Sequence, residues 1–312
     1  MPKNLLFIRI AYVSNLLISS TIFAQSGLLP EFAMGTRSLA LGLTATTSFS
    51  DPLATSSNPA NASNAKRITG SLFYSKLEYG ALNTSFGIIL PTAKYGAYGV
   101  SYFQYSFDYF FLDENGNATG TETFSQRHLR FTHARKIFQS LTIGFNAKFV
   151  MQRFGGITPE SENVGVDLGL QYSPNFSTSL LRDIAFGLSI DNLVAYTLGM
   201  QQHDGVLLRE YRFIVEKEKS FSGNSLNIIA NLALLEEYSH RNENSVELVK
   251  EIGRPKLHLG IEYSRRYYSL RIGRTPNSLT GGVGARIESI SIGYAYYTMG
   301  SVVHNLSISY EF

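Results

Sequence analysis

The residues best placed for chemistry are charged side chains that alternate with apolar ones. Seven of them share the polar side of predicted β-strands: Lys148, Asp167, Asp191, Glu262, Arg271, Arg286 and Glu288. Carboxylates and bases on one face can line a polar path, or they can pair with each other and with Arg37 and Asp51. We favour the pairing interpretation.

The six histidines do not form a recognisable catalytic or metal-binding motif. His128 and His133 have opposite parity on a predicted strand, so they cannot share a face to bind a metal. The segment from Gly281 to Gly284 lies in a strand rather than before a helix and is not a phosphate-binding loop. The chain has no cysteine, which excludes thiol chemistry and zinc-cysteine sites. We therefore predict no catalytic residues, cofactor or metal, and a hydrolase is kept only as an alternative.

β-Strands must position the charged residues. From about Ile68 onward, apolar and polar residues alternate with few interruptions, and we count about fourteen such segments. A period of two places successive side chains on opposite faces of a sheet. The last segment, residues 302–312, resembles the closing strand of bacterial outer-membrane β-barrels, and Tyr310 and the terminal Phe312 resemble their assembly signal.

The N-terminus reads as an export signal. Lys3 and Arg9 precede an apolar stretch at residues 10–22, and a plausible cleavage site follows Ala24. The stretch is shorter than the ~20 apolar residues of a spanning helix. A net charge of +3 is too small to indicate a nucleic-acid partner. We therefore expect export of residues 25–312.

These patterns together predict an all-β transmembrane antiparallel barrel of about fourteen strands in the outer membrane. The alternation of lipid-facing and lumen-facing residues averages the hydropathy of the strands toward neutral. Long connections are expected on the outside of the cell, and mostly shorter turns on the periplasmic side. A charged side chain that faced lipid would cost up to about 2–4 kcal/mol, so the strand face that carries the charges must face the lumen. A soluble secreted β-sandwich is the alternative fold. Glycines recur on the polar parity, which indicates either a tightly curved wall or a segment pressed against it: Gly144, Gly165, Gly169, Gly187, Gly260, Gly282, Gly284 and Gly293.

The stretch before the first strand, residues 31–65, is rich in small residues and has almost no charge. Its motif resembles the N-terminal hatch of FadL-like barrels, especially their PorV/PorQ relatives, and consists of Gly35, Arg37, Gly42, Asp51, Pro52, Asn58, Pro59 and Ala60. The resemblance implies a hatch at residues 25–66 inside a barrel at residues 67–312. We expect this hatch to dock through its Asn-Pro-Ala turn. Leu43 departs from the family, which commonly has a small residue there.

The resemblance implies two functions between which the sequence does not choose. FadL-like members pass hydrophobic molecules through an opening in the barrel wall, and PorV-like members serve type IX secretion. The implied partners are outer-membrane lipid, the barrel-assembly machinery, and either secreted proteins or a hydrophobic ligand. A structural or adhesive barrel is a further alternative.

Overall fold

The computed structural model describes residues 35–47, 51–77, 80–112, 118–155, 161–178, 181–198, 209–240, 248–299 and 301–312. The predicted signal peptide lies outside these residues. The described part of the hatch contains helix α1 (Gly35–Ala40) and two 3-10 helices, Leu53–Ser56 and Pro59–Asn64. The described strands are β1 (Thr69–Lys76), β2 (Leu82–Thr92), β3 (Gly96–Leu112), β4 (Ala118–Lys136), β5 (Leu141–Phe154), β6 (Ser161–Tyr172), β7 (Ile184–Leu198), β8 (Arg209–Phe221), β9 (Asn224–His240), β10 (Leu248–Ile252), β11 (Lys256–Arg265), β12 (Tyr268–Arg274), β13 (Leu279–Ile287), β14 (Ile290–Met299) and β15 (Ser301–Glu311).

Fourteen of these strands form a closed antiparallel wall. Strands β1 to β9 lie side by side in sequence order. In the wall β9 is followed by β11, and the order continues to β15. β15 then pairs with β1, with Thr69 opposite Glu311 and Lys76 opposite His304. The wall has no free edge, and the prediction of a fourteen-stranded barrel is confirmed. We call the end that carries Phe312 the inner end and the opposite end the outer end.

The additional strand, β10, does not belong to the wall. It pairs with the outer part of β9, where Ile252 lies opposite Glu236 and Leu248 opposite His240. The sequence analysis expected long connections at the outer end and did not predict this pairing of residues 236–240 with residues 248–252. A hairpin satisfies backbone N–H and C=O groups through its own pairing and needs no apolar alternation, so the pattern did not reveal it.

The wall carries its apolar residues outside and its polar residues inside. Leu72 and Leu306 are 58% and 53% exposed, whereas Ser71 and Asn305 are buried. Exposed apolar residues recur around the wall, including Phe86, Phe131, Phe145, Phe213, Ile228, Leu259, Leu270, Val283 and Ile292. An apolar outer band of this kind is stable in a lipid bilayer. Among the described residues, no helix is long and apolar enough to span a membrane.

The described hatch residues, 35–47 and 51–65, fill the lumen, and we call them the plug. Leu39 and Leu53 of the plug pack in one buried cluster with Phe73 and Phe103 of the wall. Two smaller clusters join plug and wall elsewhere: Ala62 and Ala65 with Ile89, Ala97 and Ala134, and Leu41 and Ala45 with Ile214 and Ile229. The plug therefore packs against strands on several sides of the barrel.

Candidate functional site

The lumen-facing glycines make room for the plug. A Cβ atom on Gly144 would lie 2.5 Å from the backbone nitrogen of Ala60, which is closer than real Cβ atoms come to a neighbour. Six of the eight glycines singled out in the sequence would meet plug atoms in this way: Gly144, Gly169, Gly187, Gly260, Gly282 and Gly293. The other two, Gly165 and Gly284, face side chains of the wall. Close approach of a second segment therefore explains most of the set.

The plug backbone also approaches the wall backbone closely at Gly42. It has a positive φ of 77°, and a Cβ there would lie 2.6 Å from the backbone nitrogen and oxygen of Arg274. The Gly42 nitrogen donates to the Thr280 hydroxyl at 2.9 Å, and its carbonyl lies 2.7 Å from Nδ1 of His258. Only glycine combines this backbone conformation with this proximity.

The Asn-Pro-Ala turn docks on the opposite side of the lumen. The Asn58 side chain accepts a hydrogen bond from the Ala60 nitrogen at 3.0 Å, which caps the second 3-10 helix. Its amide nitrogen donates to the Leu170 carbonyl at 3.2 Å. One side chain thus fixes the turn and ties it to β6.

A buried charge cluster joins the plug to the inner half of the wall. Arg37 donates from Nε to Glu262 Oε2 at 2.8 Å and from Nη2 to Oε1 at 3.2 Å. Arg271 donates to the same Oε2 at 2.7 Å. Burial is the largest single influence and would lower the pKa of Arg37, but attraction to Glu262, Glu216 and Glu218 together with the hydrogen bond to Glu262 outweighs it and raises that pKa. We call Arg37, Glu262 and Arg271 the inner cluster.

Asp51 lies beside the inner cluster, at the start of a 3-10 helix. Its Oδ1 accepts from the Leu53 nitrogen at 2.9 Å. Burial raises the pKa of Asp51, although this hydrogen bond and the nearby arginines oppose the shift. Arg37, Asp51, Glu262 and Arg271 line a recess of about 240 Å³ that extends to the turn at Arg266 and Tyr267.

A second charge cluster lies on the outer side of the plug. Lys148 Nζ is 2.6 Å from Asp167 Oδ1 and 2.5 Å from Asp191 Oδ1, and all three side chains are buried. Asp167 also accepts from Asn146 at 3.1 Å and from the Asn192 backbone nitrogen at 2.9 Å. We call Lys148, Asp167 and Asp191 the outer cluster.

The β6–β7 ladder is interrupted at the outer cluster. Val166 pairs with Val194, but Leu168 pairs with Ile190, so extra residues of β7 bulge between them. Asn192, within the bulge, has a positive φ of 56°. The Asp167 carboxylate accepts from the Asn192 nitrogen, so a side chain satisfies a backbone group in the bulge.

Further basic side chains extend the outer cluster around the lumen. Arg130 lies with its guanidinium carbon 4.6 Å from the centre of the Phe103 ring. Arg130 Nε and Nη1, Arg212 Nη1 and His128 Nε2 are buried without a hydrogen-bond partner among the described residues. Arg212 does pair with Glu210 through its other terminal nitrogen. This flank of the lumen presents several N–H donors.

The neighbouring flank is aromatic. Phe103 is buried against the plug, and Tyr105, Phe107 and Tyr109 follow it at alternate positions of β3 towards the outer end. The Phe107 ring centre lies 5.0 Å from that of Phe124 on β4, and those of Tyr105 and Phe124 lie 6.2 Å apart. We call these five residues the aromatic ladder. It lines the lumen from the outer end down to the plug.

The structure brings the sequence-predicted residues into two groups. Among the seven charges, three form the outer cluster, and Glu262 and Arg271 join Arg37 in the inner cluster. Arg286 and Glu288 do not face the enclosed lumen, because β13 ends at Ile287 and both side chains are exposed at the inner end. Tyr310 and Phe312 lie on the wall exterior with their ring centres 4.7 Å apart.

Sequence reasoning missed Arg130, Arg212 and the aromatic ladder. The two arginines lie on the polar parity of β4 and β8, so the alternation used for the other charges could have found them. The ladder has no such signal, because aromatic residues occupy both parities of residues 102–111. His128 and His133 do lie on opposite faces: His128 is buried, and His133 packs against Phe145 on the exterior, with their ring centres 5.3 Å apart. The described residues contain no group of side chains suited to hold a metal ion.

Comparison with known proteins identifies the fold. No protein-family model matches the sequence, and no curated protein is similar to it. The Ralstonia pickettii toluene transporter TbuX is 16% identical with a TM-score of 0.52, and the match covers 90% of this chain and 98% of TbuX. A Pseudomonas aeruginosa FadL homologue is 13% identical with a TM-score of 0.55, covering 89% and 98%. The Pseudomonas putida toluene transporter TodX is 13% identical with a TM-score of 0.52, covering 88% and 96%.

The chain has the fold of FadL-type barrels. At these identities the similarity establishes the fold and not the substrate. The narrower PorV/PorQ assignment stays a prediction that rests on the hatch motif.

Proposed function

We propose that this barrel spans the bacterial outer membrane and passes hydrophobic small molecules inward. The observation that carries the proposal is the aromatic ladder, which places apolar rings on the lumen side of β3 and β4. The lumen of a water-filled barrel is polar, so inward-facing rings need another reason. One such reason is that the rings offer apolar surface to a hydrophobic molecule.

The ladder defines a path towards the plug. Tyr109 and Phe107 lie nearest the outer end, Tyr105 and Phe124 follow, and Phe103 reaches the cluster that contains Leu39 and Leu53 of the plug. A hydrophobic molecule that moves along these rings would exchange one apolar contact for the next. The similar structures TbuX and TodX are toluene transporters, which supports a hydrophobic cargo.

The proposal is tested by removing apolar surface from the ladder without touching the plug. The double variant Phe107→Ser, Phe124→Ser should slow toluene uptake by cells that express the barrel in a deletion strain. Phe110→Ser is the matched control, because Phe110 lies on the same strand with 64% of its surface exposed. Equal uptake in the ladder variant and the control would refute the proposal.

Arg130 gives the path a polar end. Its guanidinium lies over Phe103 at the foot of the ladder, and two of its N–H groups lack partners among the described residues. Guanidinium groups bind carboxylates strongly. We therefore expect Arg130→Met to reduce uptake of decanoate and to leave toluene uptake unchanged, and an equal loss for both would remove the acid-binding role.

The secretion role implied by the hatch motif remains a second candidate. It is supported by the hatch residues from Gly35 to Ala60 in the sequence. Crosslinking in outer membranes followed by purification of the barrel tests it. Recovery of exported proteins with a type IX sorting domain would favour secretion over uptake.

A further inference from the structure

The short turns at the inner end carry a ring of basic side chains. Five of the six inner turns have at least one base within or directly beside them, β8 carries two bases shortly before the sixth turn, and two more precede β1 as the chain leaves the plug. The members are Lys66, Arg67, Lys94, Arg135, Lys136, Arg182, Lys217, Lys219, Arg265, Arg266 and Arg286. We call them the basic ring. They are spread over the whole circumference and do not form one patch.

Acidic residues at this end are fewer. The same turns and strand ends carry Asp183, Glu218, Glu288 and Glu311. One of these, Glu311, pairs with Arg286 at 2.7 Å. The inner end is therefore strongly positive, whereas the whole chain has a net charge of only +3.

Exposed aromatic residues accompany the ring at the edge of the apolar band. Lys94 Nζ lies 5.2 Å from the centre of the Tyr95 ring, and the Arg266 guanidinium carbon lies 4.8 Å from that of Tyr267. Tyr98, Phe138, Tyr268, Tyr310 and Phe312 are also exposed at this level. Aromatic rings of membrane proteins concentrate at the headgroup region, which places the basic ring beside lipid headgroups.

We propose that the basic ring binds the anionic headgroups of phospholipids in the periplasmic leaflet. The proposal rests on the outer-membrane location proposed above and is independent of what the barrel transports. Bases next to a membrane attract anionic lipid over a Debye length or less. A circular distribution fits a shell of lipids, whereas one acidic protein would contact only part of the circumference.

The side-chain directions agree with lipid binding. Arg135 has the same parity on β4 as Phe131, which is 53% exposed on the outside of the wall. Its charge therefore lies on the lipid side of the barrel and not over the lumen. Arg266 lies in the turn between β11 and β12, beside the exposed Tyr267.

The experiment compares lipid retention by the full barrel and two matched double variants. The purified protein is placed in nanodiscs that contain equal amounts of phosphatidylglycerol and phosphatidylcholine, and the lipids retained after extraction are counted by native mass spectrometry. The parent should retain mainly phosphatidylglycerol. Arg135→Gln, Arg266→Gln should reduce that preference at least about fivefold, with a smaller difference in high salt. Arg153→Gln, Arg254→Gln removes two exposed bases from the outer end and should retain the parent's preference.

Equal retention of the two lipids by the parent would overturn the proposal. So would an inner-end variant that behaves like the outer-end control, or capture of an acidic periplasmic protein by the ring without any lipid preference. Toluene uptake by the inner-end variant is measured in parallel. A lost lipid preference with normal uptake supports the basic ring alone, and failed uptake with a normal lipid preference speaks only against the proposed transport.

Discussion

The lumen has two polar regions, and they differ in whether their charged residues pair with the plug or with other residues of the wall. Around the plug, wall glycines meet plug backbone, and Arg37 of the plug pairs with Glu262 of the wall. On the outer side of the plug, Lys148 pairs with both Asp167 and Asp191, and all three residues belong to the wall. Charges of the inner region thus pair with the plug, whereas the outer region keeps Arg130 and Arg212 nitrogens that lack a hydrogen-bond partner among the described residues.

This difference predicts that only the inner region holds the plug in place. Substitutions in the inner region should loosen the plug and raise the leak of small hydrophilic solutes, whereas those in the outer region should not. Leak through the purified barrel in a planar bilayer is therefore a common measurement by which the two regions can be compared.

The largest increase in leak is expected from Gly273→Ala. A Cβ at this position would lie 2.7 Å from Leu41 Cα and still closer to neighbouring plug backbone, which cannot move aside as a side chain can. Overpacking of this kind costs about 3 kcal/mol, which lowers the ratio of docked to released plug about 100-fold. Gly70→Ala is the control, because the atoms nearest to its Cβ would be 3.8 Å away. If the Gly273→Ala barrel leaked no more than the parent, the plug would not be held by this contact.

A smaller increase is expected from Arg37→Met. Glu262 loses its bidentate partner but keeps Arg271 at 2.7 Å, so the expected cost to docking is about 2 kcal/mol, below the full cost of a buried unpaired charge. Single-channel recording measures the fraction of open barrels. Arg286→Gln breaks an exposed pair with Glu311 and should change leak little. Equal leak in the two variants would contradict the assigned role of the inner cluster.

The sequence predicted the wall better than it predicted the site. Alternation identifies a strand wherever one face meets lipid, so residues such as Leu306 and Ile308 indicated β15 directly. It carries no information on which strands are neighbours across the lumen, and the pairing of Lys148 with Asp191 joins residues 43 positions apart. Beyond the closed wall the same signal disappears, which is why β10 was missed. The hatch motif indicated a plug, but Gly273, which is crucial for its fit, was not among the glycines singled out.

A pH-dependent leak, smaller than the effect of Arg37→Met, is expected from Asp51. Burial in the docked plug raises the pKa of this carboxyl above its ordinary value of 3.8. The docked state therefore binds the proton more tightly, so docking gains strength as pH falls through the raised pKa and loses it as pH rises. Leak of the parent should decrease on acidification within this range. Asp51→Asn keeps the acceptor for the Leu53 nitrogen and should abolish the dependence, and an unchanged pH profile in Asp51→Asn would assign it to another group.

Lys148→Met should change leak least of all and therefore tests the comparison most directly. The substitution leaves Asp167 and Asp191 buried without their shared cation, which should lower the stability of the barrel by about 3 kcal/mol. Because neither carboxylate pairs with a charge of the plug, the plug should stay docked. The temperature at which gel mobility shifts in detergent measures the loss, and Lys148→Met, Asp191→Asn should recover part of it by removing one of the two charges. If Lys148→Met instead leaked as much as Arg37→Met, the outer cluster would also hold the plug, and the lumen would form one region rather than two.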